Sequence, residues 1–319
     1  MMKNLVCYII LCILCVMIFG WVQSTLMAEQ PSGEEVQNFV RTRMNQIRNN
    51  TRLSWDNEVI LRADAYRALT ALTPFEHDPS PKVRSEAYTL EWELALRTSS
   101  STFRREVIER LVNAMCNDPD SVVWRPLYRM VSTTLTADDF TEQAKSWLRQ
   151  QLMANNPRYS VVLLCGIADM QDQIPCLKAL GTEAPSYQSL SIIKKRVLDF
   201  PGAEARLALA RMGSQEDITY LITLIESLPL AMDRIPLLPY YGYIRQPETV
   251  KVLQQYLESE EAIAATEDTP RSPYSLYALD ILARMFIDFP VPPSRFYSRA
   301  DVETARAWMK AQTTFKIKR

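Results

Sequence analysis

Six X-Pro pairs begin at residues 78, 118, 156, 200, 235 and 272, in steps of 40, 38, 44, 35 and 37, and each precedes an apolar run with helical spacing. Self-similarity at this interval marks a repeat array, in which each unit covers the apolar face of the next. The first unit reads "HDPSPKVRSEAYTLEWELAL", residues 77 to 96. Ser80 stands where a side chain can accept a helix's first N–H, and Pro81 where no N–H is needed. Val83, Ala87, Leu90 and Leu94 then form one stripe, and Tyr88, Trp92 and Leu96 a second. Two apolar faces on one helix demand neighbours on both sides.

The second half of each unit keeps its own register in the middle of the chain. "GIADMQDQIPCLKAL", "MGSQEDITYLITLI" and "GYIRQPETVKVLQQYL" share an [Ile/Val]-x-x-Leu step: Ile174 and Leu177, Ile218 and Leu221, Val250 and Leu253. Glycine or polar residues before it allow a tight reversal, so that each unit reads as a helical hairpin. The chain has only 7 glycines in 319 residues, which argues against a turn-rich β-sandwich or a phosphate-cradling α/β enzyme.

Through "DPSPKVRSEAYTL", "DPDSVVWRPLY", "GAEARLALARMGSQEDITYLITLI" and "GYIRQPETVKVLQQYL" the chain resembles the HEAT-repeat family of the armadillo-like superhelix, including the short HEAT-like repeats of exported bacterial scaffold proteins. The likeness covers roughly residues 55–290. It implies an all-α fold, a right-handed α-solenoid of about six HEAT-like hairpins with terminal capping helices. In that family a turn aspartate and a first-helix arginine form a ladder between units; Asp78 with Arg84 and Asp118 with Arg125 fit, the unit at 156 has Asn, and the later units lose the pattern. Second helices of such arrays line the concave surface. On "ADDFTEQAKSWLRQQLMA" the expectation is therefore that Phe140, Ala144, Trp147 and Leu148 are buried while Glu142, Lys145 and Arg149 face a partner. Pro126, inside a first helix, removes one hydrogen bond and bends the axis.

Four segments follow. Residues 1–24 carry Lys3 and an uncharged apolar run over 5–22, the pattern of a signal peptide cleaved near Ser24 or of a retained membrane anchor. A lipoprotein reading at Cys15 lacks the small residues expected before it. Residues 25–54 read as a linker and N-terminal capping helix, with Val36, Val40, Met44 and Ile47 on one face and Arg41, Arg43 and Arg48 on the other. Residues 55–290 are the array, with an extra helix over 186–200 and an acidic loop over 258–272. Residues 291–319 hold a C-terminal capping helix through Val302, Ala305 and Met309, and a basic tail.

Candidate chemistry is sparse. His77, the single histidine, lies beside Glu76 and Asp78, but consecutive side chains diverge, and a solvated turn is the better account than a metal ligand. Ser191 and Lys194 match S-x-x-K without the supporting S-D-N and K-T-G elements. The paired carboxylates at 34–35, 138–139 and 260–261 are adjacent in sequence and so do not face each other on a helix. No Walker loop, G-x-S-x-G, H-E-x-x-H or, beyond the leader, C-x-x-C occurs. Cysteines 116, 165 and 176 are an odd set suited to small buried positions; Cys165 and Cys176 could also bridge a hairpin in an oxidising compartment. Tyr240, Tyr241 and Tyr243 suit either inter-hairpin packing or a binding patch.

A formal charge of −1 shows no overall excess of Lys and Arg of the kind a phosphate-backbone footprint needs, so nucleic acid is not the expected partner. The expected protein is an exported or membrane-anchored, non-enzymatic scaffold without metal or cofactor, presenting a curved surface to a protein or peptide of the cell envelope, periplasmic or otherwise extracytoplasmic. Rival readings are an assembly factor tethered through residues 5–22, and a lyase-like enzyme on the same scaffold.

Overall fold

The computed structural model describes residues 32–51, 64–181, 201–228, 231–260, 274–294 and 296–318. The leader, the Ser191–Lys194 motif, the extra helix expected over 186–200 and most of the acidic loop lie outside these residues. Within them the protein is all-α, apart from an isolated antiparallel bridge between Phe286 and Ile317. No helix among the described residues is long and apolar enough to cross a membrane. The chain divides into two compact units, Met1–Thr98 and Ser99–Arg319.

The first unit contains α1 (Gly33–Arg48), α2 (Ala65–Leu72), a 3-10 turn (Thr73–His77) and α3 (Pro81–Arg97). Helix α1 begins at a capping box: the Ser32 hydroxyl accepts the Glu35 N–H at 3.2 Å while the Glu35 carboxylate accepts the Ser32 N–H at 2.5 Å. Its apolar stripe, Val36, Val40 and Met44, is buried against α2 and α3. Arg43 departs from the solvated face expected for it. It is buried and pairs with Glu86 of α3 at 2.6 Å, because the α1–α3 contact is wide enough to enclose residues flanking the stripe.

Both stripes of α3 are buried as far as Trp92, but Leu96 is 50% exposed, since Leu94 and Ala95 occupy the covered arc of the last turn. Ser80 holds the N-cap position of α3 without a capping bond from its hydroxyl. Asp78 takes over locally, accepting the Ser80 N–H at 2.9 Å.

The second unit runs through α4 (Ser101–Asn117), α5 (Ser121–Val131), α6 (Glu142–Leu152), α7 (Tyr159–Ile167), α8 (Ile174–Gly181), α9 (Pro201–Arg211), α10 (Gln215–Glu226), α11 (Leu238–Ile244), α12 (Pro247–Glu258), α13 (Tyr274–Met285) and α14 (Arg299–Ala311), with a single helical turn at Ala231–Arg234. Helices pack in neighbouring pairs. Helix α9 lies on both α8 and α10, α11 on α12, and α12 on α13 and α14, while α7, α9, α11 and α13 contact one another in succession. Helix α5 stays continuous through Pro126.

The hairpins share a backbone device. Asp169, Gly213 and Arg245, with φ of 51, 96 and 53°, each follow the end of a first helix in the left-handed region. Such a residue turns the chain back and lets its neighbours satisfy the last helical carbonyls. Each also stands five residues before the [Ile/Val]-x-x-Leu step. Four residues after each comes a buried polar side chain, Gln173, Asp217 or Thr249, at the start of the second helix. Asp217 accepts from the Ser214 hydroxyl at 2.6 Å, and Thr249 from the Gln246 N–H at 3.3 Å. Leu177, Leu221 and Leu253 are then buried, each contributing roughly 1.5–3 kcal/mol.

Phe286, Phe289, Trp308 and Phe315 form an aromatic cluster with centroids as close as 5.1 Å, and this ties the C-terminal strand of chain to α13 and α14. The chain then runs back along the end of α13, where Lys318 donates its N–H to the Met285 carbonyl at 2.8 Å.

Candidate functional site: a tyrosine-walled cavity

Helices α5, α7, α11 and α13 border a cavity of about 400 Å³ in the second unit. Its walls include Tyr128, Leu163, Pro239, Tyr240, Tyr243 and Ile281. The local sequence "PYYGY" sorts the three clustered tyrosines by helical angle. Tyr240 and Tyr243, three residues apart, share the cavity face, whereas Tyr241, one step on, turns away. Tyr241 is buried and donates to Glu226 at 2.8 Å, alongside Tyr256 and Arg234. It is core, and the other two are wall. Gly242 lets α11 approach α13: a Cβ there would stand 2.6 Å from the Ile281 side chain.

Two hydroxyls of the wall, those of Tyr243 and Tyr128, are engaged internally. Tyr243 donates to the Leu163 carbonyl at 2.6 Å, and burial pushes its phenol well above the usual range. Tyr128 is likewise pushed up, first by burial and then by the neighbouring tyrosines. These rings are therefore neutral at physiological pH. At the edge, Arg284 grips Asp280 with two bonds of 3.0 and 3.1 Å, and the Tyr297 hydroxyl donates to the same carboxylate at 3.0 Å.

Arg245 lies at the base of this cavity and lines a second one behind it. Its guanidinium donates to three main-chain carbonyls: Gly242 at 3.1 Å, Lys318 at 2.8 Å and Thr133 at 2.6 Å. One side chain thus joins α11, the end of α5 and the C-terminal strand of chain.

The α6 residues expected at a partner surface are joined by ion pairs outside both cavities. Lys145 and Glu142 pair at 3.4 Å, and Arg149 reaches Asp172 at 2.8 Å and Glu142 at 3.8 Å. The Arg149 hydrogen bond holds the Asp172 carboxyl below its ordinary range. This set straps α6 to the turn before α8, and neither cavity includes it.

The ladder residues are placed as follows. The Asp78 carboxylate takes Arg48 of α1, while Arg84 donates to the Asp78 main-chain oxygen at 2.8 Å. Asp118 accepts the Asp120 N–H at 2.9 Å. Arg125 is exposed with its guanidinium 5.2 Å from the Trp124 ring. Arg158 stacks on that same ring at 5.2 Å and donates to the Met115 carbonyl at 3.0 Å.

His77 is exposed at the end of its turn, and no group of three metal-ligating side chains gathers among the described residues. Cys116, Cys165 and Cys176 are free thiols, so the bridge considered for Cys165 and Cys176 is not formed. Tyr128, Arg245, Asp280 and Arg284 were not singled out by sequence. Tyr128 sits in the quoted unit "NDPDSVVWRPLYRMV" on the arc of Trp124, so helical phase alone could have flagged it. No pattern announces an arginine in a left-handed cap. No family model matches the chain, and no curated protein matches it either.

Proposed function

We propose that this protein is a HEAT-like α-solenoid that works as a non-enzymatic interaction scaffold, exported or held at a membrane, with a protein or peptide of the cell envelope as its partner. The observation that carries this reading is the aromatic cavity. The Tyr128 and Tyr243 hydroxyls are bound internally, so these two walls offer neutral, largely apolar surface, with a charged edge at Arg284 and Asp280. Such a surface suits an apolar side chain presented by a partner, because rigid aromatic walls lose little entropy on binding. The successive contacts of α7, α9, α11 and α13 support the stacked architecture, which holds such a wall in place.

Site-specific photo-cross-linking in cells tests the proposal. A photoreactive residue at Tyr240 should give a discrete protein adduct, and one at the 72% exposed Met153 should not. Identification of the adduct as an envelope protein supports the scaffold. Equal labelling from both positions, or none from Tyr240, overturns it.

A further inference from the structure

The second cavity, about 280 Å³, lies where α7, α9 and α11 end, and its lining includes Ala137, Gly166, Asp169, Arg211, Arg245 and Gln246. We propose that it is a binding site for a small oxyanion, a carboxylate or phosphate group held between the guanidinium groups of Arg211 and Arg245. This goes beyond the scaffold reading and does not depend on it.

Three observations converge. Both arginines are more than nine-tenths buried, with relative exposures of 8 and 3%, and both line the same space. Their main-chain bonds fix the guanidinium planes: Arg211 donates to the Tyr243 carbonyl at 2.5 Å, and Arg245 to its three carbonyls. A guanidinium carries five N–H groups, so Arg245 retains two beyond those three bonds.

The electrostatics point the same way. Burial, and after it the positive charge of Arg211, brings Arg245 down to about 9. It still carries its charge at neutral pH, and no carboxylate among the described residues acts on it. Among the described residues the acidic groups nearby include Asp169, exposed and accepting from Gln171 at 2.6 Å, and Glu204, buried on α9 and acting on Tyr243. Two like charges enclosed together repel, and an anion between them turns repulsion into two charge-assisted contacts. The volume lies just below the usual range for ligand pockets, which run from about 300 Å³ upward. That favours an isolated oxyanion group over a nucleotide.

The test uses the full chain at pH 7. Binding of sodium phosphate and of sodium acetate is measured by calorimetric titration, with sodium chloride at matched ionic strength as reference. Saturable heat with either oxyanion, absent with chloride, is expected. A response to phosphate alone identifies a phosphate source, and one to acetate alone a carboxylate. Ala137→Glu places a tethered carboxylate in the cavity and should weaken oxyanion binding at least tenfold while raising the melting temperature. Heat that does not saturate in the wild-type chain overturns the proposal without reference to any variant. Equal affinity in a folded Ala137→Glu chain also overturns it.

Discussion

At the scale of single residues, the tightest constraint is at Gly166. A Cβ there would stand 2.7 Å from the Ala208 Cα and closer still to the Tyr243 hydroxyl, which bonds the same helix at Leu163. Backbone cannot yield as a flexible side-chain tip can. Gly166→Ala should destabilise the second unit by about 1–3 kcal/mol, read as a lower urea midpoint; an unchanged midpoint would show that α7 and α9 can separate freely. The cysteines give a second check. Burial pushes the Cys116 thiol up to about 12 and raises Cys165 as well, whereas Cys176 is only partly buried. Iodoacetamide at pH 8 should label Cys176 in the native chain and spare Cys116 and Cys165, as resolved by peptide mass spectrometry; prompt labelling of Cys116 would contradict this packing. The choice between core and wall for the tyrosines was invisible in "PYYGY" as a motif. It depended on which side of α11 faced Glu226 and which faced α13.

Individual elements were legible where the signal is local. Hairpin register followed from the [Ile/Val]-x-x-Leu step, because one apolar position per turn fixes which side of a second helix is covered. Charges were harder to place. Arg43 looked solvated on α1 because a single helix does not reveal the width of its contact; with Glu86 opposite, it is an enclosed ion pair. Arg43→Ala leaves that carboxylate without its partner and should cost about 3 kcal/mol, measurable as a lower denaturation midpoint of the first unit. On α6, Arg149 looked available but is engaged by Asp172. The Asp172 carboxyl is held below its ordinary range, so its contribution is present above the unfolded carboxylate value near 3.8 and is lost as pH falls through the folded value. The stability difference between wild type and Asp172→Asn should therefore be larger at pH 6 than at pH 3. A constant difference would show that the Arg149 bond does not form in solution.

For the whole molecule, the second unit encloses its own core, from Phe103 and Leu111 through Tyr241 to Phe286. Residues 99–319 produced alone should therefore unfold cooperatively with a strongly helical circular dichroism spectrum; a chain that melts without a transition would deny the unit its independence. The sequence by itself determined the all-α class, the hairpin spacing and the stripes that become buried, because each follows from side chains three or four residues apart on one helix. Only the tertiary structure decided which residues meet across helices: Tyr128 with Tyr243, Arg211 with Arg245, and the C-terminal strand of chain with α11. Those encounters join positions far apart in sequence, 112 residues in the case of Arg245 and Thr133, and no periodicity along the chain encodes them.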